Sequence, residues 1–331
     1  MAEAISLFSG GLDSTLAILI LKEQGINVTA IRFITPFEPD SNPLSDINDL
    51  NALSRRFDFN LDIYRIAEEF LEIVKHPKHG YGKNMNPCID CRILMLKKAK
   101  EIMQETGADF IATGEVLGQR PMSQKKDMLY HIDKEADLTG NVLRPLCAGL
   151  LRKTIPEEKG IVKRDLLYSF SGRSRKPQMK LAKEFGLDKY PSPAGGCLLT
   201  DPIYSNKLRD LLAHKLSPAP KEIELLKIGR HFRLSPHCKI VVGRDKTENE
   251  IIQSLASDDD YILEIKEHGS PVVLIEGIAT EEDIEKAAGI CARYSDAKNM
   301  NEVKVSIIRK DEQQTMKVQP AADEFINAIR I

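Results

Sequence analysis

Ser9-Gly10-Gly11-Leu12-Asp13-Ser14 decides how this chain reads, because it joins an apolar run at residues 4–8 to a helically spaced apolar run at 12–24. A strand, a glycine pair and a helix in that order make a phosphate-binding turn. Gly10 and Gly11 let backbone approach a phosphate closely, and the helix start presents N–H groups that have no partner within the helix. Ser9 and Ser14 add hydroxyl donors. Asp13 puts a carboxylate where phosphates would gather, which is repulsive unless a cation stands between, so it is assigned to Mg²⁺, directly or through water. No Lys follows the glycines, which excludes a Walker-type kinase loop. The competing reading is a plain Gly-Gly turn with Asp13 or Ser14 as helix cap. Six specified positions between a strand and a helix weigh against it.

Outward from this turn, residues 27–33 and 61–66 read as strands and 46–57 and 92–105 as helices. Gly107 ends the last helix and a strand follows at 109–113. Such alternation specifies an α/β fold, a parallel sheet covered by helices on both faces. Ligands of such sheets sit at the carboxyl ends of the strands, where Ser9 and Thr113 fall. Residues 144–189 read as loop and helix, with a helix around 178–185. The passage Pro191-Ser192-Pro193-Ala194-Gly195-Gly196-Cys197 precedes a change of character. Strands are then expected at 239–242, 261–265, 272–275, 303–308 and 315–318. Helices are expected from 204, at 248–255, at 281–294 and at the end. The expectation is a catalytic domain over 1–203 and a second, smaller α/β domain over 204–331.

At 331 residues the chain exceeds what one hydrophobic core usually supports, and its 42% apolar content is ordinary for a folded globular protein. No apolar run is long enough to cross a bilayer, and the first residues lack a basic segment and cleavage site, so a cytoplasmic location without membrane contact is expected. Six cysteines are too few for a disulfide scaffold and read as free thiols, ligands or catalysts. Net charge is −2, yet residues 144–189 hold twelve Lys and Arg against five Asp and Glu. That stretch could follow a phosphate backbone or form a solvated helical face.

The Ser9–Ser14 string resembles the signature of the PP-loop ATP pyrophosphatases, which implies cleavage of ATP between its α- and β-phosphates. Thr113-Gly114-Glu115-Val116-Leu117-Gly118-Gln119, followed by Ser123-Gln124, resembles a segment of ThiI-type 4-thiouridine synthetases, and Val142-Leu143-Arg144-Pro145-Leu146 resembles another. The fold implied is the adenine-nucleotide alpha hydrolase-like, PP-loop one. The nucleotide contacts implied are Leu7, Phe8, the loop residues, Arg32, Phe33, Arg92, Gly114 and Gln124. Chemistry is compatible: Arg92 can present a fork of donors to phosphate, and Gly114 permits close approach. The family's THUMP and rhodanese regions have no counterpart in this sequence. The carboxyl half is instead similar to the RNA-binding module NFACT-R, at Ile228-Gly229-Arg230-His231-Phe232-Arg233 and Lys239-Ile240-Val241-Val242-Gly243-Arg244-Asp245.

Cys88-Ile89-Asp90-Cys91 is placed just before the helix at Arg92, and Cys197 stands apart. A Cys-x-x-Cys pair with one distant Cys suits a 4Fe-4S cluster with three thiolate ligands, a redox pair with a spare thiol, or an incomplete zinc site. The arrangement resembles that of cluster-dependent tRNA thiolases, and this resemblance favours the cluster, which would leave one iron open to hydrosulfide. Cys147 and Cys291 read as packed in apolar surroundings and Cys238 as isolated.

The reaction implied is tRNA uridine thiolation. ATP, held by the loop and Mg²⁺, adenylates a uracil carbonyl oxygen. Arg144 would stabilise the leaving pyrophosphate, and sulfide delivered at Cys88, Cys91 and Cys197 displaces AMP. The implied partners are tRNA and sulfide or a sulfur-donor protein, with a homodimer allowed. The rival readings are an MnmA-like 2-thiouridylase, whose usual Thr-Gly-His is here Thr113-Gly114-Glu115, an amide-forming ligase of the GMP-synthetase type, and an RNA-binding quality-control factor with an inert PP-loop half.

Overall fold

A computed structural model describes residues 2–39, 43–190 and 197–331, with the side chains of 43–46 left out. The Pro- and Gly-rich passage at 191–196 lies outside the described residues. Two units emerge, Met1–Thr200 and Asp201–Ile331. The division falls just before the helix Pro202–His214, whose start is capped by Asp201 accepting from the Tyr204 amide at 2.8 Å.

In the first unit the elements run β1 Glu3–Leu7, α1 Leu12–Glu23, β2 Asn27–Ile34, α2 Pro43–Arg56, β3 Asn60–Arg65, α3 Ala67–Lys75, α4 Cys88–Thr106, β4 Phe110–Thr113, α5 Lys126–Glu135, β5 Val142–Leu143, α6 Ile155–Glu158 and α7 Lys176–Glu184. The strands form one parallel sheet in the order β3-β2-β1-β4-β5. The chain builds outward from β1 to β3, then returns to the other side of β1 with β4. The winding reverses between β1 and β4, and the carboxyl ends of the strands at such a reversal are where open α/β sheets take ligands.

Side-chain alternation on the central strands explains the two covered faces. Ile5, Leu7, Ile31 and Phe33 pack with Ile93, Leu96 and Ile102 of α4 on one face, while Ala4, Val28, Ala30 and Phe110 pack with Ile18 and Leu21 of α1 on the other. Helix α1 is apolar nearly all round and is buried accordingly, with Leu16, Leu19 and Ile20 against Leu181 of α7. Gly107 ends α4 in the left-handed conformation, at φ 74°.

Helix α4 differs from the sequence expectation in a way that matters for function. It begins at Cys88, four residues before Arg92. Pro87 supplies the turn into it, and Cys91 donates its amide to Pro87 O at 2.9 Å. Both cysteines of the Cys-x-x-Cys pair therefore stand in the first turn of a helix.

The second unit runs α8 Pro202–His214, α9 Pro220–Leu225, β6 Arg230–Ser235, β7 Cys238–Val242, α10 Lys246–Leu255, β8 Tyr261–Glu264, β9 Val273–Glu276, α11 Glu281–Arg293, β10 Val303–Arg309, β11 Glu312–Val318 and α12 Asp323–Ile329. Its sheet is antiparallel throughout, ordered β11-β10-β8-β9-β7-β6. One face is closed by α11, where Ile284, Ala287, Ala288 and Cys291 pack on Ile240, Leu263 and Val305. Strand β6 was missed because its Arg-His-Phe-Arg run lacks apolar alternation. No described helix is long and apolar enough to cross a membrane.

Candidate functional site

The turn after β1 is built to receive an anion. Gly10 sits at φ 75°, where its missing Cβ avoids Leu50 Cδ2, 2.7 Å from the point it would occupy. Gly11 is the N-cap of α1 and has no side chain to close the first turn, which leaves helix N–H groups for a ligand. The hydroxyls of Ser9 and Ser14 lie 3.2 Å apart, and Ser14 donates to Gly11 O at 2.9 Å, so the turn keeps its shape by itself.

Asp13 is held on one side only. Gln119 Nε2 donates to its Oδ2 at 2.8 Å, while Oδ1 is buried with no partner among the described residues. A buried, unpartnered carboxylate oxygen beside a phosphate-binding turn fits a Mg²⁺ ligand, because a cation satisfies the oxygen and offsets its repulsion from phosphate.

The implied nucleotide residues sort into supports and candidate contacts. Arg32 donates to Ser9 O at 2.7 Å and pairs with Glu38 at 3.0 Å, fixing the rim of the turn. Leu7, Phe8 and Phe33 are at most 7% exposed. Phe8 packs edge-on to Phe59 and Phe33 against Tyr64, so these side chains belong to the core and only their backbone can border a nucleotide. Gly114 does permit a close approach, but to the turn itself. A Cβ there would lie 2.5 Å from Ser14 N and 2.6 Å from Asp13 C. The end of β4 is thus pressed against the start of α1.

Two of the expected residues lie in buried networks. Arg144 was expected to face the leaving pyrophosphate, yet it is 2% exposed. Its Nη1 and Nη2 donate to the Asp133 carboxylate at 2.9 and 2.7 Å, and its Nε donates to Glu115 at 3.0 Å. Desolvation by itself would drive this charge to the surface, so two buried carboxylates are what keep it inside. Gln124 was expected to touch nucleotide. It is 2% exposed, and its Oε1 accepts from the Arg120 amide at 3.0 Å, folding the loop that carries Gln119.

Glu115 is the hub of the buried charges. Thr113 Oγ1 donates to it at 3.1 Å, and Arg92 Nε lies 3.6 Å away, so Arg92 is turned toward this carboxylate. Burial works to raise the Glu115 pKa, but Arg144 and Arg92 hold it below the ordinary carboxylate value. A His in this position could not accept from both guanidiniums.

The Met85 amide donates to Leu199 O at 3.1 Å and Asn84 Nδ2 to Thr200 O at 2.8 Å, which brings the segment that follows Cys197 to the turn before Cys88 and Cys91. A charge on Cys88 or Cys197 would push the Cys91 thiol up, and a charge on Cys88 would do the same to Cys197. Burial dominates all three: it raises Cys88, pushes Cys197 to about 11 and Cys91 to about 12. As free thiols they are neutral at pH 7. Cys88 Sγ donates to Asn86 Oδ1 at 2.8 Å and Cys197 Sγ to Phe37 O at 3.5 Å. Arg120 acts on all three sulfurs in the direction of the thiolate. Cys147, Cys238 and Cys291 are buried.

The sequence reading names Gln119 and Glu115 without assigning them a role, and does not name Arg120. Gln119 reaches the Asp13 carboxylate, 106 residues away in sequence. No periodicity announces such a loop residue; only the folded turn shows its target.

Residues 1–157 match the family model described as thiamine biosynthesis protein (ThiI). Residues 229–329 match that of the NFACT protein RNA binding domain. The amino-terminal unit therefore resembles the catalytic domain of ThiI-type enzymes and has the parallel-sheet architecture of PP-loop proteins; the carboxyl-terminal unit is NFACT-R-like. Among curated proteins, the tRNA-specific 2-thiouridylase MnmA of Pseudomonas fluorescens (strain SBW25) is 26% identical over 244 residues, covering 69% of this chain and 60% of the relative. A probable tRNA sulfurtransferase of Lysinibacillus sphaericus (strain C3-41) is 31% identical over 144 residues, covering 44% of this chain and 34% of the relative. Among solved structures, the U34-tRNA thiolase NcsA from Methanococcus maripaludis with its [4Fe-4S] cluster is 16% identical, with TM-score 0.37, covering 69% of this chain and 70% of that one. The chain thus spans 60% of the MnmA relative and about a third of the sulfurtransferase.

Proposed function

We propose that this chain thiolates a uridine of tRNA, using ATP to adenylate the uracil carbonyl oxygen and a sulfide to displace AMP. One observation carries the reading: Gln119 Nε2 holds the Asp13 carboxylate of the phosphate turn at 2.8 Å, and in the same unit the Met85 amide donates to Leu199 O at 3.1 Å, tying the Cys197 segment to the turn before Cys88 and Cys91. Activation by ATP and delivery of sulfur require two such sites. The similarity of residues 1–157 to ThiI supports it, as does an NFACT-R-like unit for holding RNA.

The residues present assign the steps. The uncapped first turn of α1, with Ser9 and Ser14, would bind phosphate groups. Asp13 would hold Mg²⁺, and Gln119 would keep that carboxylate aimed. Gly114 keeps β4 against the turn, and the Arg92–Glu115–Arg144–Asp133 chain fixes the floor. Cys88, Cys91 and Cys197 would hold a 4Fe-4S cluster, which supplies a coordination position for sulfide when bound. The donor set suits it. Burial keeps the free thiols protonated, which disfavours a persulfide nucleophile, whereas a metal deprotonates a coordinating thiol outright.

The sulfur is proposed to enter at the 4-position. A second reading, 2-thiouridine, is favoured by the similarity to MnmA over 69% of the chain. Nucleosides from tRNA incubated anaerobically with protein, ATP, Mg²⁺ and sulfide separate the two, since 4-thiouridine absorbs at longer wavelength. ATP turnover without sulfur incorporation would remove the thiolation reading. Protein purified without oxygen should hold about four irons per chain. Iron that survives replacement of all three cysteines would remove the cluster.

A further inference from the structure

Away from the sulfur site, His79 and His131 bring their Nε2 atoms to 3.0 Å of each other. A Glu135 carboxylate oxygen joins them, with the three ligand atoms all within 4.8 Å of one another. His131 and Glu135 are four residues apart on α5 and share one helix face. His79 comes from the segment leading into α4. We propose that His79, His131 and Glu135 form a binding site for a divalent transition cation, zinc being the ion expected, oriented from behind by Asp90.

The tautomer is the first argument. His79 Nδ1 lies 2.6 Å from Asp90 Oδ1, and the His79 amide donates to Asp90 Oδ2 at 3.0 Å. Asp90 is 7% exposed, and these two contacts engage both of its oxygens. A carboxylate at Nδ1 keeps the proton there and leaves Nε2 with a lone pair. That lone pair points at His131 Nε2. Two imidazole nitrogens and a carboxylate oxygen converging on one point, with a carboxylate behind one imidazole, is the ligand and support pattern of a zinc centre with an open fourth position. All three ligands are partly exposed, which leaves a route for an ion.

Lys78 is the competing cation. Its Nζ pairs with Glu135 Oε2 at 2.5 Å. The metal would take the place of this ammonium. The position is informative because Asp90 is one of the two residues between Cys88 and Cys91. An ion at His79 would brace the turn that carries both thiols and tie it to α5. The inference rests on this geometry alone and is independent of the cluster and of thiolation.

The test uses the full chain with Cys88, Cys91 and Cys197 changed to Ser, stripped of metal, so that those sulfurs cannot contribute. Zinc titrated against a chromophoric chelator should bind one ion per chain and raise the melting temperature. Cobalt should give a visible spectrum without a thiolate charge-transfer band. On that background His131→Ala and Glu135→Gln should each abolish the one-ion step and its thermal shift. Asp90→Asn should weaken it about 10–100-fold, the usual cost of losing a support carboxylate. Lys78→Met should tighten it, which a purely structural His–His contact would not. Failure of the triple variant to bind zinc overturns the proposal. So does unchanged stoichiometry in both His131→Ala and Glu135→Gln, or a cobalt–thiolate band. None of these outcomes bears on whether iron is held by the cysteines or sulfur enters tRNA.

Discussion

Gln119 Nε2 donates to Asp13 Oδ2 across 106 residues of sequence, and the other oxygen of that carboxylate is buried without a partner. One side of Asp13 is fixed by protein and the other is left for a cation. Removing the amide should therefore release the carboxylate. Gln119→Ala is expected to weaken Mg²⁺-dependent ATP binding about tenfold or more, the cost of a hydrogen bond to a charged group. Asp13→Ala should abolish the magnesium dependence. Calorimetric titration with and without Mg²⁺ checks both, and unchanged affinity in Asp13→Ala would remove the metal assignment.

Gly114→Ala should damage the nucleotide site through backbone. Its Cβ would fall 2.5 Å from Ser14 N, so β4 and α1 must move apart. A stability loss of about 1–3 kcal/mol is expected, as for other overpacked positions. ATP affinity should fall with it, measured alongside a denaturant midpoint.

Arg144→Ala tests whether that guanidinium is structural. It would leave Asp133 and Glu115 buried without their shared cation, and about 3–5 kcal/mol of stability should go. If the variant melts like the wild type yet fails to release pyrophosphate, Arg144 acts on substrate after all.

The thiols give a pH prediction for the metal-free chain. Folding raises Cys197 to about 11 and Cys91 to about 12, above the unfolded value near 8.5. A raised pKa means the fold favours the protonated form. Its stabilisation is complete below about pH 8.5 and is lost as pH rises toward 11–12. At pH 8, iodoacetamide should alkylate Cys91 far more slowly than it does after unfolding. Equal rates would show that the thiols are accessible and reactive.

A chain ending at Thr200 should retain ATP binding and lose tRNA affinity together with much of its salt dependence, since the NFACT-R-like unit is assigned to the phosphate backbone. Filter binding across a salt series measures it. Undiminished tRNA affinity in the shorter chain would place the RNA contact in the first unit, where the basic residues of 144–189 are the natural candidates.

How much of this was legible in sequence depends on distance along the chain. The β1–turn–α1 unit was readable because the glycines, the hydroxyls and the carboxylate act within six residues. The alternation of strands and helices was readable because one face or stripe of each must be buried. Helix α5 was passed over because its buried residues are few, Leu129, Ile132 and Asp133. The start of α4 was placed late because Cys-Ile-Asp-Cys carries no familiar helix-start signal. The roles of Arg144 and Gln124 were misassigned for a different reason. A charged or amide side chain gives no sign of whether it meets solvent or a buried partner, and the partners Asp133 and Arg120 are fixed only by folding. The His79–Asp90 contact had no sequence signal at all.

The loop that carries Gln119 and Arg120 is pinned at several points. Gly118 donates its amide to Gln124 O at 2.8 Å, Gln119 to Val116 O at 3.1 Å, and Gly172 to Leu117 O at 2.8 Å. Neighbouring Cα atoms are about 3.8 Å apart, so a single inserted or deleted residue shifts one of the two side chains by roughly its whole reach. Length is thus a stricter constraint here than composition. Exchanging Gln119 removes one hydrogen bond, whereas adding one residue before it would put the loop out of step with Asp13. Surface loops usually tolerate insertions and deletions, but in this one a change of length should be as damaging as loss of the phosphate turn itself.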